Sequence, residues 1–328
     1  MAGIKDVAKI AHVGVGTVSR VINNSGYTSE ETREKVEKAM QQLRYTPNEL
    51  ARNLYRKRTG IIAVLVPDVG HPFFAQVVKY VEIELNRYGY KTMICNTTQK
   101  DNNELEYLQM LERRMVDGVI TGVHSLDIHE YLQIEKPIVA LDRYIGNTIP
   151  VVSVDHKKGG QLAAEEMLRT GSRIIIQFQG ASKVESPSLD RHIEFEKIMT
   201  EHGITVYSYE MEWNRLDTNY SAELVNKAYM DHPEADGVFG TDLLALEYMK
   251  KALIEGKKVP EDLKVICYDG TYITNVVYPE VTVIRQPIEE LAKESVRLMN
   301  NMINGKLYEI RIISLQPELI RRRSTQCD

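Results

Sequence analysis

The sequence predicts an α/β protein, with a small all-α head followed by two successive doubly wound parallel sheets. Two patterns predict it. The first 60 residues hold helix-period apolar stripes and no strand-like run, whereas from Ile61 short apolar strands alternate with helix-period segments. The length, 328 residues, suits two or three domains better than one.

In the head, Ile4, Val7, Ala8 and Ala11 repeat at i, i+3, i+4 and i+7. After a break at His12–Gly14 a second stripe follows in Val15, Val18, Val21 and Ile22. A third helix starts at Ser29, with Glu30 and Glu31 in the first turn, where they suit the helix dipole. Its apolar face is Val36, Ala39, Met40 and Leu43, Pro47 stops the pattern, and Asn48–Arg56 reads as one more short helix. Residues 1–60 carry 11 Lys and Arg against 6 Asp and Glu, a net +5, while the rest of the chain carries −10. A basic head on an acidic body fits contact with a polyanion.

From Ile61 the buried-strand candidates are IIAVLVP (61–67), KTMICN (91–96), GVIT (118–121), PIVALD (137–142), VVSVD (151–155), IIIQF (174–178), GVF (237–239) and KVICYD (264–269). Helical segments are expected at Ala75–Tyr88, Asn103–Arg114, Gly159–Thr170, Leu189–His202, Tyr220–Asp231 and Leu243–Glu255. Strand alternating with helix implies parallel sheets covered on both faces. A break near residues 155–172 divides them into two lobes, with a ligand crevice at the carboxyl ends of the strands.

Several function classes are excluded. No run approaches the ~20 apolar residues of a membrane span, and Met1–Ala11 lacks the pattern of a secretory signal. Cys95, Cys267 and Cys327 lie far apart without a C-x-x-C pair, which points to a reducing, cytoplasmic setting. There is no G-x-S-x-G, H-E-x-x-H or phosphate-binding G-x-x-x-x-G-K-[ST], so no catalytic residue, metal or cofactor is expected. Gly14-x-Gly16-x-x-Ser19 imitates a dinucleotide fingerprint, but no strand precedes it. A secreted or transport-type sugar-binding protein with no DNA role would need a signal and no basic head; both expectations fail.

The segment from Ile4 to Asn23 carries the chemistry of a helix-turn-helix. Ala8 is the small residue where two helices touch, and Val18 is the β-branched residue on the inner face of the second. Thr17, Ser19, Arg20 and Asn23 supply hydroxyl, guanidinium and amide groups to the outer face. Arg20 suits a guanine edge, a contact worth ~1–3 kcal/mol of discrimination. Thr17 and Ser19 suit phosphate oxygens.

These motifs resemble the lac repressor/gal repressor family along essentially the whole chain. The matches are IKDVAKIA (4–11), TVSRVIN (17–23), Tyr27 with TSEETREKV (28–36), YTPNELARNL (45–54), PFF (72–74), RRMVDGVI (113–120), DLLALEYMKKALIEGKKVPEDLKVICYDGT (242–271) and TVIRQP (282–287). The resemblance implies a DNA-binding head at 1–46, a hinge helix and linker at 47–60, and a two-lobed, periplasmic-binding-protein-like effector and dimerisation domain at 61–328. Its N-lobe is expected at 61–155 and 286–306, its C-lobe at 156–285 and 307–328. Tyr27 and Asn48 join the DNA-contacting set. Leu54 is expected to wedge into the minor groove with Ala51 beside it.

The chain departs from the family at His12, where a turn glycine is usual, and at Gly14, where a serine is usual. The two base-reading positions are Val15 and Gly16, whose side chains cannot hydrogen-bond, so methyl contacts and indirect readout carry more of the specificity.

In the body the resemblance implies a sugar pocket of Phe73, Phe74, Asp142, Arg191, Trp213, Asp242 and Asp269, with His124 as a further candidate. Thr241 replaces an asparagine that is common before Asp242, and Pro187–Leu189 interrupt an arginine-containing run. VALDR (139–143) and YDGT (268–271) look most like sucrose-operon repressors, which suggests sucrose or a phosphorylated derivative as effector. The expected protein is a homodimeric transcriptional regulator, a repressor of a carbohydrate operon, bound to pseudo-palindromic double-stranded operator DNA. With no heptad tail before Asp328, a coiled-coil tetramer is not expected. A global carbon regulator with a phosphoprotein corepressor is the alternative within the family.

Overall fold

The computed structural model describes residues 2–47, 53, 58–97, 103–123, 127–182, 186–213, 215–306 and 312–326. It divides into two compact units, Met1–Gly60 and Ile61–Asp328.

The first unit contains α1 (Ile4–Ala11), α2 (Val15–Asn23) and α3 (Glu30–Gln42). Their apolar stripes meet in one small core of Val7, Ala8, Ala11, Val18, Val21, Val36 and Ala39. The boundaries follow from capping. His12 ends α1 in the left-handed region at φ 51°, the conformation the missing turn glycine would have supplied. Gly14 caps α2 in an extended conformation, and the Ser29 hydroxyl accepts from the Thr32 N–H at 3.3 Å to cap α3. Asn24 closes α2 at φ 49°, and its side-chain oxygen accepts from Arg33 at 2.9 Å. Asn48, Ala51 and Leu54 of the expected hinge helix lie outside the described residues.

The second unit holds two six-stranded sheets among its described residues. The first-lobe elements are β1 (Ile61–Val66), α4 (Pro72–Arg87), β2 (Lys91–Asn96), α5 (Glu104–Glu112), β3 (Gly118–Thr121), α6 (Ile128–Leu132), β4 (Ile138–Leu141) and β5 (Val151–Val154). The chain then enters the second lobe with α7 (His156–Thr170), β6 (Ile174–Gln179), α8 (Asp190–Glu201), β7 (Thr205–Glu210), α9 (Thr218–Asp231), β8 (Gly237–Thr241), α10 (Asp242–Ile254), β9 (Lys264–Asp269) and β10 (Thr282–Arg285). It returns for α11 (Ile288–Ile303) and β11 (Ile312–Leu315), and ends with β12 (Glu318–Ile320).

The sheet orders are β2-β1-β3-β4-β5-β11 and β7-β6-β8-β9-β10-β12, so the two lobes repeat one doubly wound topology. Pairing is parallel except between β10 and β12. Each sheet is covered on both faces by helices. In the first lobe α4 and α11 pack Val77, Val81, Leu291 and Val296 against β1, β3 and β4. In the second, α7 and α8 lay Ala163, Met167, Phe195 and Met199 over β6, β8 and β9. Among the described residues no helix is long and apolar enough to cross a membrane.

The chain passes between the lobes three times, before His156, after Arg285 and after Leu315. Two of these passages are tied together, because the Asp155 N–H donates to the Leu315 carbonyl at 2.7 Å and the Gln316 amide to Asp155 Oδ2 at 3.2 Å.

The expected C-lobe segment 307–328 needs correction. Ile312–Leu315 pairs in parallel with Val151–Val154 and completes the first sheet, so the last passage falls near Gln316. Four alternating residues, IISL, are too short to reveal which sheet they complete. Strands β7, β10, β11 and β12 also exceed the eight expected. β7 is an edge strand whose exposed and half-buried positions break any apolar run. The helices expected from Ile61 onward all form, whereas the one expected at Asn48–Arg56 falls outside the described residues; α4 and α7 each start three residues earlier than expected, α4 with Pro72 in its first turn, where a missing N–H costs nothing.

Candidate functional site

A cavity of about 180 Å³ opens where the switch points of the two sheets face one another. Val66 ends β1 and Gly122 follows β3 on one side; Gly180 follows β6 and Thr241 ends β8 on the other. The volume lies below the ~300 Å³ at which drug-sized clefts begin, so the space suits one compact molecule. Because strands lead into helices here, α4, α7, α8 and α10 all begin at this crevice.

Two acids stand at opposite strand ends, both in strained backbone: Asp142 at φ 47° and Asp269 at φ 125°. Such positions cost ~1–3 kcal/mol each and persist where the surroundings over-determine them. At Asp142 they do: Oδ1 accepts from Ser153 Oγ at 2.7 Å and Val154 N–H at 3.1 Å, and lies 3.0 Å from His156 Nε2. Burial alone would raise this carboxyl, but the neighbouring imidazole and these hydrogen bonds outweigh it and hold the group below the usual carboxylate range.

Asp269 behaves oppositely. Its Oδ1 accepts from the Gln286 amide at 2.6 Å, and burial together with nearby Asp242 pushes it well above the usual range. The crevice thus pairs an acid held below the usual carboxylate range with one pushed above it.

His156 connects the two sides. Its Nδ1 lies 2.8 Å from the Tyr268 hydroxyl, and the Arg191 guanidinium sits 4.2 Å over the Tyr268 ring. This cluster is assembled by two glycines of α7. A Cβ on Gly159 would overlap the Tyr268 hydroxyl, and one on Gly160 the Arg191 backbone carbonyl. Only bare backbone lets α7 approach β9 and α8 this closely.

The apolar wall is Phe73 and Phe74 at the start of α4, edge to face with centroids 5.2 Å apart. His71 caps the same helix, and burial lowers its imidazole to about 4, so it is neutral there.

Of the expected pocket residues, Phe73, Phe74, Asp142, Arg191 and Asp269 line the cavity. Trp213 does not; it lies behind Arg143, whose guanidinium is 5.9 Å from the indole. Asp242 does not either. Its carboxylate accepts from Gly270 N–H at 3.1 Å, Thr271 N–H at 2.7 Å and Thr271 Oγ1 at 2.6 Å, so it holds the turn that presents Asp269. Burial raises the Asp242 carboxyl to about 6 despite these bonds. His124 lies outside the described residues. The sequence reading missed His71, Arg143, His156, Ser188 and Gln286. Their position was the available signal, since each lies at or just beyond a strand end or a helix start.

On the head, α2 carries an exposed row. Val15 is 41% exposed, Gly16 has open space around it, and Arg20 is exposed. Thr17 and Ser19 are half-buried. The Asn23 amide turns back onto its own helix, donating to the Ser19 carbonyl at 2.9 Å and to Ser19 Oγ at 3.3 Å. Tyr27 is 90% exposed just beyond the helix. The face thus offers methyls, open backbone and an exposed guanidinium.

Comparison with known proteins adds a second line. Residues 3–48 match the family model for bacterial regulatory proteins of the lacI family, and residues 151–325 match the periplasmic binding protein-like domain. The ribose operon repressor of Halalkalibacterium halodurans is 37% identical over 328 residues, covering 99% of this chain and 98% of that protein. The sucrose operon repressor of Streptococcus mutans is 39% identical over 293 residues, covering 89% and 90%. The solved lac repressor dimer bound to operator and the anti-inducer ONPF aligns with a TM-score of 0.85 at 24% identity, over 99% of each chain.

Proposed function

Because the chain belongs to the lacI family of bacterial regulatory proteins, we propose that it is an operator-binding transcriptional repressor of a carbohydrate operon, controlled by a sugar effector. One observation carries this reading: a helix-turn-helix head with an exposed reading face shares a chain with a crevice built where two facing sheets switch direction. Relatives named for ribose and sucrose operons support the sugar class.

Residues 1–46 bind DNA, 47–60 link, and 61–328 bind effector and pair with a second copy. Two heads on a two-fold dimer read a pseudo-palindrome. Arg20 supplies the main side-chain hydrogen bonds to a base edge, and Val15 contributes methyl contacts. Gly16 lets the backbone approach, and Thr17 and Ser19 meet phosphates. In the crevice, Phe73 and Phe74 stack on a sugar face while Asp142, Arg191 and Asp269 bond its hydroxyls. The protein acts in the cytoplasm, where the operator is.

Effector and operator are linked, with a coupling of ~1–3 kcal/mol as is usual for such pairs of sites. The test is a gel shift on the DNA upstream of the protein's own gene, with and without ribose and sucrose. A retarded band that one sugar relieves or strengthens is expected. Absence of retardation under every condition would sink the assignment.

A further inference from the structure

Arg143 follows Asp142 at the end of β4 and belongs to the first lobe, yet two separate segments of the second lobe hold its guanidinium. Nη1 donates to Ser186 Oγ at 2.8 Å, and the guanidinium carbon lies 5.9 Å from the centroid of the Trp213 ring. The Ser186 hydroxyl in turn donates to the Asp142 backbone carbonyl at 3.2 Å, to which Arg143 Nη1 also donates at 2.9 Å. Carbonyl, guanidinium and hydroxyl thus close a ring of bonds across the lobe boundary.

The seat for this fork is made by a local feature of the sequence. Pro187–Leu189 form a short 3-10 turn ahead of α8, and Ser186 caps it by accepting from the Ser188 N–H at 3.2 Å. The Ser188 hydroxyl lies 2.7 Å from that of Ser186, which is buried. These bonds fix the hydroxyl where Arg143 meets it.

The charge on Arg143 is finely balanced. Burial opposes it most and the neighbouring Arg191 adds to this, while the Asp142 and Glu104 carboxylates favour it. Its Nε is buried with no partner among the described residues. Drawing the lobes apart would strip Ser186 and the indole from the guanidinium and return it to water. What the closed arrangement gains in bonds, the open one recovers in hydration. A contact balanced in this way tips with a small input, as the moving part of a switch must.

We infer that Arg143 is a positioning residue: clamped by Ser186 and Trp213, it holds the lobes together over the crevice and sets how readily an effector is bound. This rests on the crevice being the effector site. A ligand there meets Phe73, Phe74 and Asp142 from one lobe and Arg191 and Asp269 from the other, so it binds best when the lobes are in contact. A looser clamp lowers the fraction of molecules in that arrangement, and the apparent affinity falls in proportion.

Trp213 is the chain's single tryptophan, so its emission reports on the clamp and, in a titration, on the crevice beside it. The variant to measure is full-length Ser186→Ala, because Ser186 is not among the described residues that line the cavity. Its emission should move to longer wavelength, and acrylamide should quench it more readily. Affinity for ribose or sucrose, whichever alters operator retardation, should fall about threefold to tenfold with the loss of one charge-assisted hydrogen bond. Ser186→Thr keeps the hydroxyl and should restore both quantities. With Arg143→Gln already in place, Ser186→Ala should add nothing to either; thermal melts show that each variant is folded. Unchanged quenching or unchanged sugar affinity in Ser186→Ala, no recovery in Ser186→Thr, or additive effects of the two substitutions overturn the inference. If neither sugar binds the unaltered protein, the effector reading fails by itself, and the emission of Ser186→Ala still decides the clamp.

Discussion

Nε2 of His156, the first residue of α7 in the second lobe, stands 3.0 Å from Oδ1 of Asp142, at the end of β4 in the first. The other ring nitrogen reaches Tyr268, so one imidazole is shared by an acid from one sheet and a phenol from the other. Replacing His156 with Leu leaves both partners buried without it. Stability should fall by roughly 2–4 kcal/mol. Urea unfolding at neutral pH measures this, and a loss under 0.5 kcal/mol would show that the link carries no load.

Arg20→Ala should weaken operator binding by roughly 1–3 kcal/mol, about fivefold to 150-fold, while effector binding stays unchanged. The steep dependence on this one residue follows from its neighbours. Val15 and Gly16 offer no side-chain donor, and the Asn23 amide is engaged with Ser19. Equal operator affinity in the variant would remove α2 from the reading role.

Glu166, fully buried on α7, accepts from Arg169 at 2.8 and 3.0 Å, Arg321 at 2.8 Å and Thr325 at 2.6 Å. Burial would raise its carboxyl, yet these bonds outweigh it and lower the group to about 2. A depressed carboxyl stabilises the fold above its unfolded value near 4.5, and this is lost as pH falls toward about 2. Both arginines are about half exposed, so solvent trims the effect to roughly 2 kcal/mol. Glu166→Gln should therefore lower stability at pH 7 and flatten its decline between pH 4.5 and 2. An unchanged acid limb in denaturation curves would refute the assignment.

Gly160→Ala sets two effects against each other. Helix propensity favours alanine by ~1 kcal/mol, but its Cβ would overlap the Arg191 carbonyl, and overpacking costs ~1–3 kcal/mol. The obstruction is backbone, which cannot swing aside, so the steric term wins. Thermal melts should show a lower Tm and the Trp213 titration a weaker effector response. A raised Tm would mean that α7 and α8 are free to separate.

Much of this could be read from the sequence because most of the chain obeys strong periodicities. The head's three stripes, the αL turn at His12 and the buried runs from Ile61 are local signals that the fold retains. Among the described strands, three of the four at a sheet edge defeat such reading. β7 alternates exposure, while β11 and β12 are four and three residues long and gain their identity only from the neighbour they join. The crevice shows the same limit. Phe73, Asp142, Arg191 and Asp269 were visible as strand-end or motif residues, but Asp242 looks like a ligand residue in sequence and serves as a turn holder in space. His156 gains significance only because Gly159 and Gly160 allow α7 to close on Tyr268 and Arg191.

The three interlobe passages have a mechanical consequence. A single strap would let the halves twist and slide as well as hinge. Three straps side by side, cross-linked at Asp155, Leu315 and Gln316 and paired at Arg285 and Glu318, form a flexure. It bends readily about the line that joins the straps and resists torsion and shear. Work done by a molecule closing the crevice is therefore channelled into one angular coordinate instead of being dissipated over many.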